Sequence, residues 1–221
     1  MEKNPLSQGW EFLQLIETEQ INKISYMKKP IQDTRGREDT GGRDEMGSPD
    51  ETGSPDQPDS KLPGLFLSEL KELYGAEQHQ LHVLPLLKKA ASSQKLQNVI
   101  ASHLDDTRMQ IDRLETIFQK MGQQAEARVS EAILGIAREA EMVIAGTKKE
   151  TATRDAGIIV AAQKLEHYEI TGYGSLAQHA RTLEYDEIEE ILELSLMEEK
   201  EADDLLTALA ENYINEEARK E

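Results

Sequence analysis

From Leu62 onward, apolar residues return at close to the 3.6-residue period of an α-helix. A first core helix is predicted from about Pro63 to Ala91, with Phe66, Leu70, Leu73, Tyr74, Leu81 and Leu84 along one face. Pro63 suits a first turn, and Pro85 removes one backbone hydrogen bond and predicts a kink. Ser92-Ser93 breaks the pattern. The second helix spans about Lys95 to Met121, with Leu96, Val99, Ile100, Leu114, Ile117, Phe118 and Met121 aligned, and Gly122 ends it. Residues 123–155 carry a period of their own through Val129, Ala132, Ile133, Ile136, Ala140, Val143 and Ile144. Asp155 reads as the N-cap of a third core helix that reaches about Thr182, its stripe formed by Ile158, Ala162, Leu165, Tyr173, Leu176 and Ala180. The fourth runs from about Asp186 to Ile214, with Ile188, Leu192, Leu206 and Tyr213 inward. No stretch shows strand alternation.

Four long helices, two short turns and one long second-to-third crossover predict an all-α, ferritin-like four-helix bundle over residues 62–217. A simple up-and-down bundle would not need that crossover. The chain before it follows other rules. Residues 1–28 hold Trp10, Phe12, Leu13, Leu15, Ile16, Ile21, Ile24 and Tyr26, enough for one short amphipathic helix. Two readings stand for it: a segment docking on its own bundle or only partly ordered, or a peptide that binds a protein partner or acts as cargo. Residues 29–61 repeat Gly-Ser-Pro-Asp at 47–50 and 53–56 and contain almost no large apolar side chain. They bury too little surface to offset chain entropy and are expected to be a disordered acidic linker.

Charge narrows the function classes. The 221 residues sum to a formal charge of -18, which argues against nucleic acid and anionic membrane surfaces and favours attracting cations. With no cysteine, disulfides and thiolate chemistry are excluded. No apolar run is long enough to span a bilayer, and the N-terminus lacks the apolar core of a signal peptide, so the expected location is the cytoplasm.

The apolar stripes contain ionisable residues. Glu77 sits at the centre of the first helix's stripe, within about 40° of its leucines on the helical wheel. His103 is centred on the second, with Asp106 one turn on at the edge and Gln110 nearly behind it. Glu169 is centred on the third, with Glu166 on its shoulder; Glu199 is centred on the fourth, with Asp203 one turn on. His79, His82, Asp105, Arg108, His167, Glu198 and Glu201 are expected to face outward. Every core helix thus carries a charge where charge is costly, and all fall near mid-helix, where they can meet at one level.

A single buried Glu or His is commonly satisfied by a local hydrogen bond, and a pair can share a proton or bind Arg or Lys. Here no Lys or Arg is central on any stripe; Lys88 and Arg113 lie at ends or edges. Two divalent cations, bridged by carboxylates and bound by one imidazole, resolve the repulsion. Oxygen-rich ligation suits iron first, manganese second and zinc less well. Tyr74, Tyr173 and Tyr213 also face inward, either as core packing or as hydrogen-bond donors to ligand carboxylates.

The runs Ala76-Glu77-Gln78, His103-Leu104-Asp105-Asp106-Thr107, Arg154-Asp155-Ala156, Leu165-Glu166-His167-Tyr168-Glu169-Ile170 with Tyr173-Gly174, and Leu196-Met197-Glu198-Glu199-Lys200 resemble the YciE/YciF-type ferritin-like stress-protein family over about residues 64–215. The resemblance implies a ferritin-like bundle, often a homodimer, with a di-metal centre and a stress-related role. It departs from the wider ferritin-like pattern, where Glu-x-x-His occurs on the second and fourth helices. Here Asp105 is followed at that spacing by Arg108, and Glu199 by Ala202, while His103 precedes Asp106 in reversed order. The second metal is thereby left without a nitrogen ligand. Three functions follow: a di-metal oxidoreductase-like protein reacting with dioxygen or peroxide, a metal-stabilised structural or interaction module, or iron storage.

Overall fold

The computed structural model describes residues 61–221, and every regular element among them is a helix. The docking segment expected over residues 1–28 and the acidic linker expected up to residue 61 lie outside the described residues, apart from Lys61. Helix α1 spans Leu62–Ala90, α2 Gln94–Lys120, α3 Glu131–Gly146, α4 Ala152–Thr182 and α5 Asp186–Leu209. A π-helical turn, Ala210–Ile214, carries α5 into the short α6, Asn215–Ala218.

Helix boundaries follow local chemistry. Pro63 stands in the first turn of α1, and the helix continues through Pro85, whose ring is exposed. Ser93 caps α2, its hydroxyl accepting from Leu96 N at 3.5 Å. Gly122, at φ 66°, closes α2, and Gln123 N returns to Phe118 O at 2.9 Å. Asp155 is not the N-cap of α4. Thr151 takes that place, accepting from Arg154 N at 3.2 Å. Asp155 lies in the first helical turn and reaches across to the start of α2. Its carboxylate accepts from Ser92 N at 2.7 Å, Ser93 N at 2.8 Å and Ser92 Oγ at 3.0 Å. Its neighbour Arg154, also buried, donates to Ile144 O at 2.8 Å and to Thr147 O, satisfying carbonyls at the end of α3. The adjacent Arg154-Asp155 pair therefore ties three helix ends together.

Around the bundle, α1 packs on α2 and α4, and α5 packs on α2 and α4, so the four long helices form a ferritin-like ring. The crossover containing α3 lies against α4 and α1. It begins in close contact with α1: Arg128 N donates to Lys71 O at 2.9 Å, and a Cβ at Gly75 would sit 2.2 Å from Arg128 O. Only glycine allows that approach.

The apolar core is divided into two clusters. One gathers Phe66, Leu70, Leu73, Leu114, Phe118, Tyr173, Leu176 and Leu192. The other gathers Leu84, Leu87, Leu96, Ile100, Ile158, Leu165, Leu206 and Ile214 with Ile133, Ala137 and Ala140 of α3. Each fully buried Leu, Ile or Phe contributes about 1.5–3 kcal/mol of transfer free energy. Apart from Arg154 and Asp155 at the start of α4, the polar buried residues of the core helices sit mid-helix, flanked along the sequence by members of these clusters: Glu77 and Gln80 on α1, His103, Thr107 and Gln110 on α2, Glu166 and Glu169 on α4, Ser195 and Glu199 on α5.

Candidate metal centre

Each of these helices inserts its polar group because flanking leucines, isoleucines and aromatics fix the rotation of the helix about its axis. Glu77, His103, Glu166, Glu169 and Glu199 are all at most 4% exposed. Of these, His103, Glu166, Glu169 and Glu199 each offer a ligand atom, and those atoms lie within 4.8 Å of one another. His103 Nε2 is 3.2 Å from Glu166 Oε2 and 4.0 Å from Glu199 Oε2. Glu77 extends the group, and its Oε1 accepts from the Tyr173 hydroxyl at 2.5 Å. A second brace comes from α2: Gln110 Nε2 donates to Glu199 Oε1 at 2.5 Å and to Glu198 Oε2 at 3.1 Å. Arg113 in turn holds Glu198 through two bonds of 2.5 and 2.7 Å.

Burial dominates the electrostatics. It pushes the carboxyls of Glu77, Glu166 and Glu169 well above the usual range, and mutual repulsion pushes them further. Burial also lifts Glu199 to about 7, while hydrogen bonds with Glu166 and Gln110 restrain the rise. Burial lowers His103 to about 4, so its imidazole is neutral at physiological pH, the form a metal requires.

Ligand atoms are left over. Glu77 Oε2, His103 Nε2, Glu166 Oε2, both Glu169 carboxylate oxygens and Glu199 Oε2 are buried with no hydrogen-bond partner. Arg154, bound to the end of α3, is the one buried Lys or Arg among the described residues, so no cationic side chain neutralises the group. Unpartnered buried carboxylates are strongly disfavoured. A divalent cation would supply the missing partner, and the donor set of carboxylate oxygens and one imidazole fits one. This buried His/Glu cluster can hold a metal ion.

The family profile described as Domain of unknown function (DUF892) matches residues 61–219. The chain belongs to the DUF892 family. It is 38% identical to Protein YciF of Escherichia coli (strain K12) over 155 residues, which is 70% of this chain and 93% of that protein. The crystal structure of the E. coli stress protein YciF superposes with a TM-score of 0.67 at 36% identity, covering 71% of this chain and 98% of that one. YcfI of Rhodopseudomonas palustris gives a TM-score of 0.65 at 35% identity, covering 67% and 94%. The DUF892 match spans the described bundle, and the resemblance carried by the Glu166-His167-Tyr168-Glu169 run holds across it.

Within this DUF892 bundle, not every residue singled out in the sequence reaches the cluster. Asp106 and Asp203 are half-buried and lie outside the group of four, one turn further along helices whose stripes they only edge. Asp203 instead accepts from Gln163 at 3.0 Å, with His167 Nδ1 3.4 Å away. The Tyr74 hydroxyl turns from the centre and donates to Glu115 Oε1 at 2.7 Å. Tyr213 is 45% exposed, with Lys95 Nζ 4.7 Å from its ring centroid. The π turn at Ala210–Ile214 rotates the chain there, so Ile214 takes the inward position instead. Gln110 and Tyr173 do hydrogen-bond to cluster glutamates. Two residues escaped the sequence reading. Glu198 is drawn inward by Arg113. Gln80 is 0% exposed, with neither side-chain polar atom partnered. Its signal was its phase, three residues after Glu77 and four before Leu84.

No helix among the described residues is long and apolar enough to cross a membrane.

Proposed function

We propose that this chain is a carboxylate-rich di-metal protein, with iron as the first choice of metal and manganese the second, that reacts with dioxygen or peroxide. The unpartnered ligand atoms on five buried residues carry this reading. His103, Glu166, Glu169 and Glu199 would hold one cation. Glu77, with Glu169 and Glu199 as its neighbours, would help hold the other. When bound, such a metal pair supplies redox chemistry toward dioxygen or peroxide.

The chain's own residues prepare the site. Burial, then the charge of Glu77, raises the Tyr173 hydroxyl well above its usual range, so it stays protonated and orients Glu77 as a donor. The Arg113–Glu198–Gln110 relay fixes Glu199. The two apolar clusters keep bulk water from both ends of the polar layer. E. coli YciF is described as a stress protein, and we extend that role, in the cytoplasm and as a homodimer, to this chain.

Stripping the protein with chelator, adding ferrous iron anaerobically and then admitting air tests the redox role. New near-ultraviolet and visible absorbance with peroxide consumption supports it; the absence of both removes it. The missing second histidine, with Ala202 at the Glu-x-x-His spacing after Glu199, favours one further reading, a metal-stabilised structural module without turnover. That version requires the melting temperature to fall on chelation. Iron storage requires a large shell, which a monomer or dimer mass in size-exclusion chromatography excludes.

A further inference from the structure

His103 is 4% exposed, yet it lines a cleft of about 330 Å³ between α2 and α5. Space of that size admits about ten water molecules. The walls are Val99 and Asp106 from α2 and Glu198, Glu201 and Leu205 from α5. The mouth is therefore acidic, and His103 stands between it and the cluster, its Nε2 lying 3.2 Å from Glu166 Oε2 and without a hydrogen-bond partner. The cleft between α1 and α4 differs: it is lined by Glu69, Glu72 and Tyr168, among others, and no member of the buried cluster reaches it.

The carboxylates of the α2/α5 cleft are not equivalent. Glu198 is held by the Arg113 guanidinium through two bonds. Its charge is spent on that partner. Asp106 is half-buried and Glu201 exposed, and neither is needed to complete the cluster of four. Asp106 stands three residues after His103 on the same helix, which places their Cβ atoms about 5–6 Å apart. A cation leaving water must exchange its hydration shell for protein oxygens in steps, because full dehydration in one step is too costly.

We infer that the α2/α5 cleft is the uptake path for a divalent cation, with Asp106 and Glu201 as transfer carboxylates that take the ion from water and pass it to His103. This rests on the metal reading above and adds a route and two residues to it. The chain's net charge of -18 raises the local cation concentration, and the cleft focuses that field on one opening.

The test uses cobalt(II) and the full chain stripped by chelator. Rapid mixing followed by visible absorbance gives the loading rate, and elemental analysis after desalting gives the final occupancy. Asp106→Asn with Glu201→Gln removes the two charges without changing shape. Ser102→Phe, at an exposed position on the same cleft, blocks the opening by bulk alone. Thermal melts of both variants should match the wild type. The expected result is loading about tenfold slower in each variant, with weaker salt dependence in the double variant and final occupancy unchanged. Wild-type loading rates in both variants would overturn the path. Lower final occupancy in the double variant would also overturn it, by making Asp106 or Glu201 a resident ligand. A wild-type chain that takes up no cobalt at all would instead overturn the metal reading itself.

Discussion

Glu199→Gln should change stability in opposite senses in the metal-stripped and the metal-loaded protein. In the stripped bundle, burial lifts the Glu199 carboxyl from 4.5 to about 7. A rise of that size corresponds to about 3 kcal/mol. The unfolded chain releases this proton near 4.5, whereas the folded chain holds it to about 7. The stabilisation is thus fully present below 4.5 and is lost as pH climbs through 7. Glutamine has the same shape, never ionises, and still offers Oε1 to the Gln110 amide. Stripped Glu199→Gln should therefore exceed the stripped wild type by up to about 3 kcal/mol at pH 8, and match it near pH 4. For a bundle of this size that difference is a Tm gain of about 6–12 °C. Loading reverses the order. A ligand at a thousandfold excess over its Kd adds about 4 kcal/mol to the wild type. The variant gains less, because a neutral amide oxygen is a poorer partner for a dication. Urea unfolding at both pH values, with and without metal, measures all the states. A stripped variant no more stable than the wild type at pH 8, or an undiminished gain on metal addition, would refute the reasoning.

In the stripped protein the His103 ring should titrate near 4 in a nitrogen-detected NMR series, since burial opposes its charge; a midpoint near the ordinary imidazole value of about 6.5 would show the ring to be wet. Asp155→Ala removes three hydrogen bonds at the start of α2 and should cost about 2–4 kcal/mol in urea unfolding, with Asp155→Asn recovering part of it. Gly75→Ala drives a methyl into Arg128 O and should cost about 1–3 kcal/mol, because the neighbour is backbone and gives way only by shifting the crossover. A neutral outcome for Gly75→Ala would mean that the crossover is loosely attached to α1.

The helix phases were legible because apolar and buried positions coincide along α1, α2, α4 and α5, and that phase places Glu77, His103, Glu166, Glu169 and Glu199 inside. Leucine burial sets each helix's rotation, and the charged residues follow. What was not legible depends on events that a helical wheel omits. A continuous 3.6-residue period puts Tyr213 inward, and the π turn interrupts that period. Tyr74 is buried as expected, but its hydroxyl lies at the far end of a long ring and meets Glu115 from the adjacent helix. The helical phase turns Glu198 outward, since nothing in its own helix shows that Arg113 approaches from α2. The same phase turns His79 outward, yet it is half-buried with Nε2 enclosed, and burial with nearby His82 lowers its pKa. Asp155 was recognisable as a capping residue, but the helix it serves is α2 across the bundle, a long-range pairing that local capping rules do not reveal.

The central claim is that a cation holds these buried carboxylates together, and metal content per chain tests it most directly. Wild type, Glu169→Ala and His167→Ala would each be stripped, reloaded with ferrous iron under anaerobic conditions, desalted and analysed by plasma emission. The account predicts close to two ions per wild-type chain, little changed in His167→Ala, whose ring is exposed. It predicts that Glu169→Ala, which deletes two unpartnered oxygens, loses most of the metal. A wild-type chain that binds no iron, or equal losses in the two variants, would contradict it.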